Sequence, residues 1–335
     1  MEKRKKLFVK TAEELLNTDY PVREAIIPDL INVGCYLLAG SPKIGKSYLA
    51  LQIGMCVSTG KALWGLPLQQ SNVLYLALED SFERLQRRYA QISDYKGNEH
   101  LMFAVEAPSI VDGLTNVVKE CYQSFNFRLL MIDALQMIRS NNQKVSYSDD
   151  YQTITAIRNL AYELNIAVLL IHHTRKLEAE DEFDRISGTN GLFGASDGGF
   201  ILYKKKRSDN EAKLICTGRD IPYMEKNINF NSEKFLWECE DADTKNVDSS
   251  KDLFLEKINT VVSKHGGHWI GTPTDLHQEI DYNKCAVNKL TMRLKHNIDK
   301  LRKLYNIEFE YKLLKQKTII LNYIVADSAG EKDNA

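Results

Sequence analysis

The sequence predicts an α/β fold built on a mainly parallel sheet, followed by a small second domain. Three observations predict it. Short apolar runs at residues 35–39, 73–78, 129–132 and 166–171 alternate with helix-length segments, as buried parallel strands joined by crossover helices do. Polar residues cluster just beyond those runs: Lys46 and Ser47, Glu79 and Asp80, Asp133, and His172 with His173. Open parallel sheets bind ligands beyond the carboxyl ends of their strands. Finally, Gly40-Ser41-Pro42-Lys43-Ile44-Gly45-Lys46-Ser47 lies between an apolar run and a helix-forming segment that begins at Tyr48. G-x-x-x-x-G-K-S between strand and helix is the context of a phosphate-cradling loop.

The elements follow in order. Residues 1–33 form a lead-in. Within it Thr11 reads as the N-cap of a short helix and Glu14 closes a capping box. The strand at 35–39 runs into the phosphate loop, and the next helix reaches about Thr59, where Gly60 stops it. A strand at 73–78 ends in Glu79-Asp80, and a helix carries Phe82, Leu85, Tyr89 and Ile92. A short strand at 101–105 precedes a helix from about Ser109. The strand at 129–132 delivers Asp133, residues 139–150 are polar, and a helix spans Tyr151 to Leu164 with Ile154, Ile157, Leu160 and Ala161 at helical spacing. The strand at 166–171 ends in His172-His173, and a charged, mobile loop is expected at 176–190. Strands are expected at 199–205, 213–217 and 235–237. The main domain is thus expected at 34–238, with a polar linker at 239–250.

Residues 251–325 read as a second domain. A helix carries Leu253, Phe254, Ile258, Val261 and Val262, another starts at Thr272-Pro273, and one long helical region covers Ala286 to Tyr305. A hairpin turns at Leu314-Lys315-Gln316. Three helices and a hairpin suggest a winged helix. From 251 to 323 there are 13 Lys and Arg against 8 Asp and Glu, a local surplus of about +5. A disordered tail is expected at 326–335.

Composition narrows the class. The chain has 335 residues, 44% hydrophobic and 27% charged, with a net charge of −1. That is ordinary for a globular protein with a large core, and any basic nucleic-acid footprint must be local. Six cysteines lack C-x-x-C spacing and read as free thiols of a cytoplasmic protein rather than zinc ligands. No signal peptide or membrane span is expected.

Several residues have the setting of nucleotide chemistry. Lys46 would reach the β- and γ-phosphates of a nucleoside triphosphate, and the hydroxyl of Ser47 would sit on Mg²⁺. Backbone N–H groups along residues 40–48 would wrap the phosphates, aided by the helix N-terminus. Asp133 has the setting of a second Mg²⁺ ligand; a loop aspartate capping a helix is the competing reading. Glu79 is the candidate general base, and Asp80 suits a helix-start role better.

The phosphate loop, Tyr75-Leu76-Ala77-Leu78-Glu79-Asp80, Leu130-Met131-Ile132-Asp133, Leu170-Ile171-His172-His173-Thr174-Arg175-Lys176 and Thr217-Gly218-Arg219-Asp220 occur in one order. Together they resemble the RepA-like ATPases, a RecA-fold branch of P-loop NTPases, also grouped with AAA ATPases, that includes ring-shaped plasmid replicative helicases. The resemblance covers about residues 10–240. It implies that Glu79 is the catalytic glutamate and Asp133 the Walker B aspartate. It puts His173 where related motors keep a γ-phosphate sensor, with His172 as the rival. It makes Arg219 an arginine finger inserted into a neighbouring subunit's site, against the plainer reading of a surface arginine paired to Asp220. It sets DNA-contacting loops at 139–150 and 176–190, where Arg139, Lys144, Arg175 and Lys176 suit phosphate and the acidic run Glu178 to Glu182 does not.

In the second domain Lys289, Arg293, Lys295, Lys300, Arg302 and Lys303 decorate a helical region whose buried stripe is Leu290, Leu294, Ile298 and Leu301. Phosphate contact by a winged helix and a solvated face of a protein-binding module both fit. The expectation is an ATP- and Mg²⁺-dependent hydrolase, a ring-forming and by resemblance hexameric helicase or helicase-like motor on single-stranded DNA, serving replication of a plasmid, phage or mobile element. The alternative is a regulatory DNA-binding ATPase that uses ATP as an assembly switch.

Overall fold

The computed structural model describes residues 9–18, 20, 24–92, 97–139, 147–174, 191–240, 253–282, 287–313 and 316–324. The chain divides into two compact units, Arg23–Thr244 and the remainder. Ahead of the larger unit lies α1 (Ala12–Asn17), whose Thr11 cap and Glu14 form the expected capping box.

The larger unit is a nine-stranded sheet. Its strands are β1 (Gly34–Gly40), β2 (Asn72–Ala77), β3 (Leu101–Ala104), β4 (Phe127–Asp133), β5 (Ala167–His173), β6 (Gly198–Tyr203), β7 (Glu211–Gly218), β8 (Met224–Asn231) and β9 (Leu236–Cys239), in the spatial order β3-β2-β4-β5-β1-β6-β7-β8-β9. The pairs from β3 to β6 are parallel, and β6 to β9 form an antiparallel meander. The helices are α2 (Lys46–Thr59), α3 (Phe82–Gln91), α4 (Leu114–Phe125), α5 (Tyr147–Leu164) and α6 (Gly191–Ala195).

Every residue of β1 is buried, and alternate side chains feed opposite faces. Tyr36 and Leu38 join the core that holds α2, while Cys35, Leu37 and Ala39 join the one that holds α5. This double coverage is why the parallel strands read as unbroken apolar runs. No helix among the described residues is long and apolar enough to cross a membrane.

In the larger unit, four element readings differ from the structure. The fourth helix starts at Leu114 rather than Ser109, because Ser109 caps a turn instead: its Oγ accepts from Asp112 N at 3.3 Å, and Gly113 enters the helix at φ 101°. The fifth starts one turn early, at Tyr147. Strand β8 was not anticipated, since of its eight residues only Ile228 is buried and no apolar run exists. Strand β9 reaches Cys239, into the stretch read as linker.

The phosphate loop is backed by Trp237 of β9, which is 1% exposed. Its indole N–H donates to Gly45 O at 3.2 Å. Gln52 of α2 grips the same residue's backbone, donating to Trp237 O at 2.8 Å and accepting from Trp237 N at 2.7 Å. Gly45 has φ +101°, and a Cβ there would lie 2.8 Å from the indole. Glycine is therefore required by both the backbone and the wall behind it.

The second unit contains α7 (Leu253–Lys264), β10 (His268–Gly271), α8 (Pro273–Ile280), α9 (Val287–His296), α10 (Ile298–Tyr305), β11 (Ile307–Leu313) and β12 (Lys317–Tyr323), with sheet order β10-β12-β11. Strand β10 was missed because Trp269 is its one buried residue. The expected single helix from 286 to 305 is two, broken at Asn297, whose N–H bonds Leu294 O and whose side-chain amide bonds Arg293 O. Leu290, Leu294 and Leu301 are buried as expected, with Ile298 partly so. The basic face is partly used internally. Arg293 stacks over Phe254 and Tyr282, Lys295 lies over Tyr311, and Arg302 pairs with Glu308. Lys289 and Lys300 are exposed, and the Lys303 side chain lies outside the described residues.

Replacing Gln52 by Leu leaves Trp237 N–H without its acceptor in a buried site. We expect a loss of about 2 kcal/mol, read as a lower urea midpoint for the tryptophan-monitored transition.

Candidate active site

The parallel strands bring their carboxyl ends together at one rim. Gly40 is in register with His173, and Ala77 with Asp133. Helix α2 starts there behind Gly45, which offers no side-chain cap. Its first N–H groups thus await an outside acceptor, and the positive end of the helix favours an anion.

Lys46 is 4% exposed. Its ammonium donates to Gly40 O at 2.7 Å, Ser41 O at 2.9 Å and His173 Nδ1 at 3.0 Å. Burial pulls its pKa down to about 8, against the pull of Asp133 and Glu79. An ammonium has only donors, so Nδ1 of His173 accepts and the imidazole proton sits on Nε2. That nitrogen is 3.7 Å from Glu79 Oε2. Burial, then the charge of Lys46, lowers the pKa of His173, with Glu79 and Asp133 opposing. Lys46, His173 and Glu79 therefore form one chain of polar contacts, from the start of α2, the end of β5 and the residues just after β2. The other Glu79 oxygen accepts from the amide of Gln136.

Asp133 is buried, accepts from Tyr75 OH at 3.0 Å and hydrogen-bonds Ser47. Burial raises its pKa, despite those two bonds, and Glu79 and Asp80 push it further up. A buried carboxylate touching a hydroxyl is an oxygen-only donor pair with surplus negative charge, which fits a hard divalent cation such as Mg²⁺. Ser47 and Asp133 are the residues that would hold it.

Other expected residues separate. Asp80 turns away and pairs with Arg84 at 2.9 Å and with Arg88. The ring of Tyr48 stacks on Phe235, and its hydroxyl donates to Gln91 Oε1 at 3.1 Å. Pro42 and Lys43 are exposed, and Ile44 is buried against the core. His172 is buried on the opposite side of β5 from His173. Arg139 does not present a free guanidinium: it forms a 2.7 Å ion pair with Asp150, with side chains 16% and 5% exposed. Lys144, Arg175, Lys176 and the run at 178–182 lie outside the described residues.

Arg219 is not near the loop of its own chain. It follows Gly218, which is in register with Gly198 and through it with Tyr36. That is the amino end of the parallel strands, roughly 15 Å along the strand direction from Gly40 at 3.3 Å per residue. Its side chain is 54% exposed, and its ion-pair partner is Asp197 at 3.6 Å, not Asp220.

Sequence reasoning missed Tyr75 and Gln136. Each had a signal: a polar atom inside an apolar run next to a candidate acid.

A protein-family model described as an AAA domain matches residues 2–179. The DNA repair protein RadA of Helicobacter pylori strain J99 is 27% identical over 150 residues, 43% of this chain and 29% of RadA. The chain thus aligns with less than a third of that relative's length. Two solved structures share the fold. The ATPase domain of G40P has a TM-score of 0.51 at 16% identity, covering 62% of this chain and 84% of that one. A DnaB-like replicative helicase studied with primase has a TM-score of 0.51 at 15% identity, covering 64% and 59%.

The buried His172 gives a stability prediction. Burial, then the charges of Arg139, His173 and Lys46, lower its pKa from 6.5 to about 3. As pH falls below 6.5 the unfolded chain takes up this proton and the folded chain does not. The stabilisation is complete above pH 6.5 and lost by about 1.4 kcal/mol per pH unit toward pH 3. His172→Leu should flatten that acid limb by about one proton in urea titrations between pH 4 and 6.5.

Proposed function

The chain belongs to the AAA-domain family of RecA-fold P-loop ATPases, and from that premise we propose that it is an ATP-hydrolysing motor that assembles into a ring of identical subunits. We further assign it to single-stranded DNA, as a helicase or helicase-like ATPase in replication of a plasmid, phage or mobile element. The observation that carries the hydrolytic part is the Lys46–His173–Glu79 chain of contacts at the uncapped end of α2. The nucleic-acid part draws on relatives named for DNA repair and replicative helicase.

Loop N–H groups and Lys46 hold the β- and γ-phosphates. Glu79, oriented by Gln136, takes the proton of a water that attacks the γ-phosphorus. The bond from that phosphorus to the β,γ-bridging oxygen breaks and ADP leaves. Ser47 and Asp133 would hold Mg²⁺, which would offset phosphate charge. His173 touches both Lys46 and Glu79, a position suited to sensing the γ-phosphate.

Arg219 supports the ring. An arginine at the opposite rim from the loop can serve a phosphate site only in another copy. Contact between two different surfaces of identical subunits is head-to-tail, and it closes a ring when the rotation permits. The guanidinium would then supply donors to charge developing on the phosphoryl oxygens. A winged-helix role in DNA binding for the second unit rests on the exposed Lys289 and Lys300.

Arg219→Ala should bind ATP but lose most turnover, and mixing it with Lys46→Ala should restore part of it. Single-stranded DNA should stimulate ATP hydrolysis, and mass measurement should give a closed oligomer. Normal turnover in Arg219→Ala removes the trans-acting role. Binding only to a preferred duplex, without stimulation, favours the assembly switch.

A further inference from the structure

Asp197 lies between α6 and β6, with its side chain 6% exposed. Each of its oxygens has a defined partner. Oδ2 accepts from Cys35 N–H at 2.9 Å, at the start of β1. Oδ1 accepts from Tyr162 OH at 2.6 Å, from α5. The same Oδ1 is 3.6 Å from Arg219 Nη1, and the backbone N–H of Arg219 donates to Asp197 O at 2.8 Å. Two glycines make room. A Cβ on Gly34 would lie 2.6 Å from Asp197 Oδ2, and one on Gly218 would lie 2.7 Å from Asp197 O.

The arrangement is uneven in a telling way. The acid is buried and fixed from three elements, while the arginine it meets is more than half exposed. A buried carboxylate is costly unless hydrogen-bonded and paired, and here two donors and a guanidinium supply both. An exposed arginine otherwise samples many rotamers, and only a fraction point any one way. The carboxylate engages the guanidinium through Nη1, which leaves the rest of the planar fork free to meet a phosphate oxygen. Tyr162 keeps its proton for the shared oxygen, since burial and then Asp197 push its pKa up to about 12.

We infer that Asp197, steadied by Tyr162, is the positioning residue that aims Arg219 at the phosphates of the neighbouring subunit. The inference rests on the trans-acting reading of Arg219 above. Asp197 touches no substrate and acts through Arg219 alone.

The test uses the full chain and measures steady-state ATP hydrolysis. Tyr162→Phe removes one hydroxyl from a residue that is 37% exposed and spares the fold. Its kcat should fall about 10- to 100-fold, the scale of a misplacement near 1 Å, with KM for ATP within about twofold. Asp197→Asn keeps an oxygen for Cys35 N–H, removes the charge, and should show the same split. Mixing either variant with Lys46→Ala should restore turnover, because Lys46→Ala subunits carry an intact Arg219 beside a dead loop. A residue that merely holds the fold together gives no such rescue. Tyr162→Phe and Asp197→Asn with wild-type kcat, while Arg219→Ala is inactive, overturn the positioning role. So does a loss of kcat that mixing does not rescue. If Arg219→Ala itself turns over normally, the trans-acting reading fails first, which the same assay shows separately.

Discussion

The buried ammonium of Lys46 is the constraint on which the site depends. A charge this deep persists only with close acceptors, and its acceptors are the end of β1, the loop itself and the imidazole at the end of β5. One side chain thereby ties the loop to two central strands. It also sets the tautomer of His173, which turns an N–H toward Glu79, beyond the end of β2 and across β4. Burial lowers the pKa of Lys46 to about 8, with Asp133 and Glu79 opposing.

The wall behind this loop explains why the antiparallel meander matters to a site made by parallel strands. Trp237 presses on Gly45 and is held by Gln52, so the first turn of α2 is fixed from both its own helix and the far sheet edge. Meanwhile β7 runs back along β6 and leaves Arg219 at the other rim. The same meander therefore backs the candidate phosphate loop and carries Arg219 to a different surface.

Much of this was legible in the sequence for a physical reason. Strands buried on both faces must be apolar throughout, so β1, β2, β4 and β5 announce themselves, and their polar terminators mark the rim. The spacing of glycines and Lys46-Ser47 is dictated by backbone geometry. Strands β8 and β10 left no such trace, because an exposed strand needs few apolar residues. The break at Asn297 was hidden by apolar spacing that continues across it. Pairings distant in sequence were also illegible: Asp220 is adjacent to Arg219, yet Asp197 reaches it through the sheet register. His172 and His173 are indistinguishable as a dipeptide, and strand alternation sends one inward and one to the site.

In the proposed function Glu79, linked to the loop lysine through His173, performs hydrolysis at a site that binds ATP without it. Its most direct test is Glu79→Gln, with ATP affinity and single-turnover hydrolysis measured side by side. Affinity should stay within about threefold of the parent, and the hydrolysis rate should fall by about 10²-fold or more. Unchanged hydrolysis in a variant that still binds ATP would contradict it.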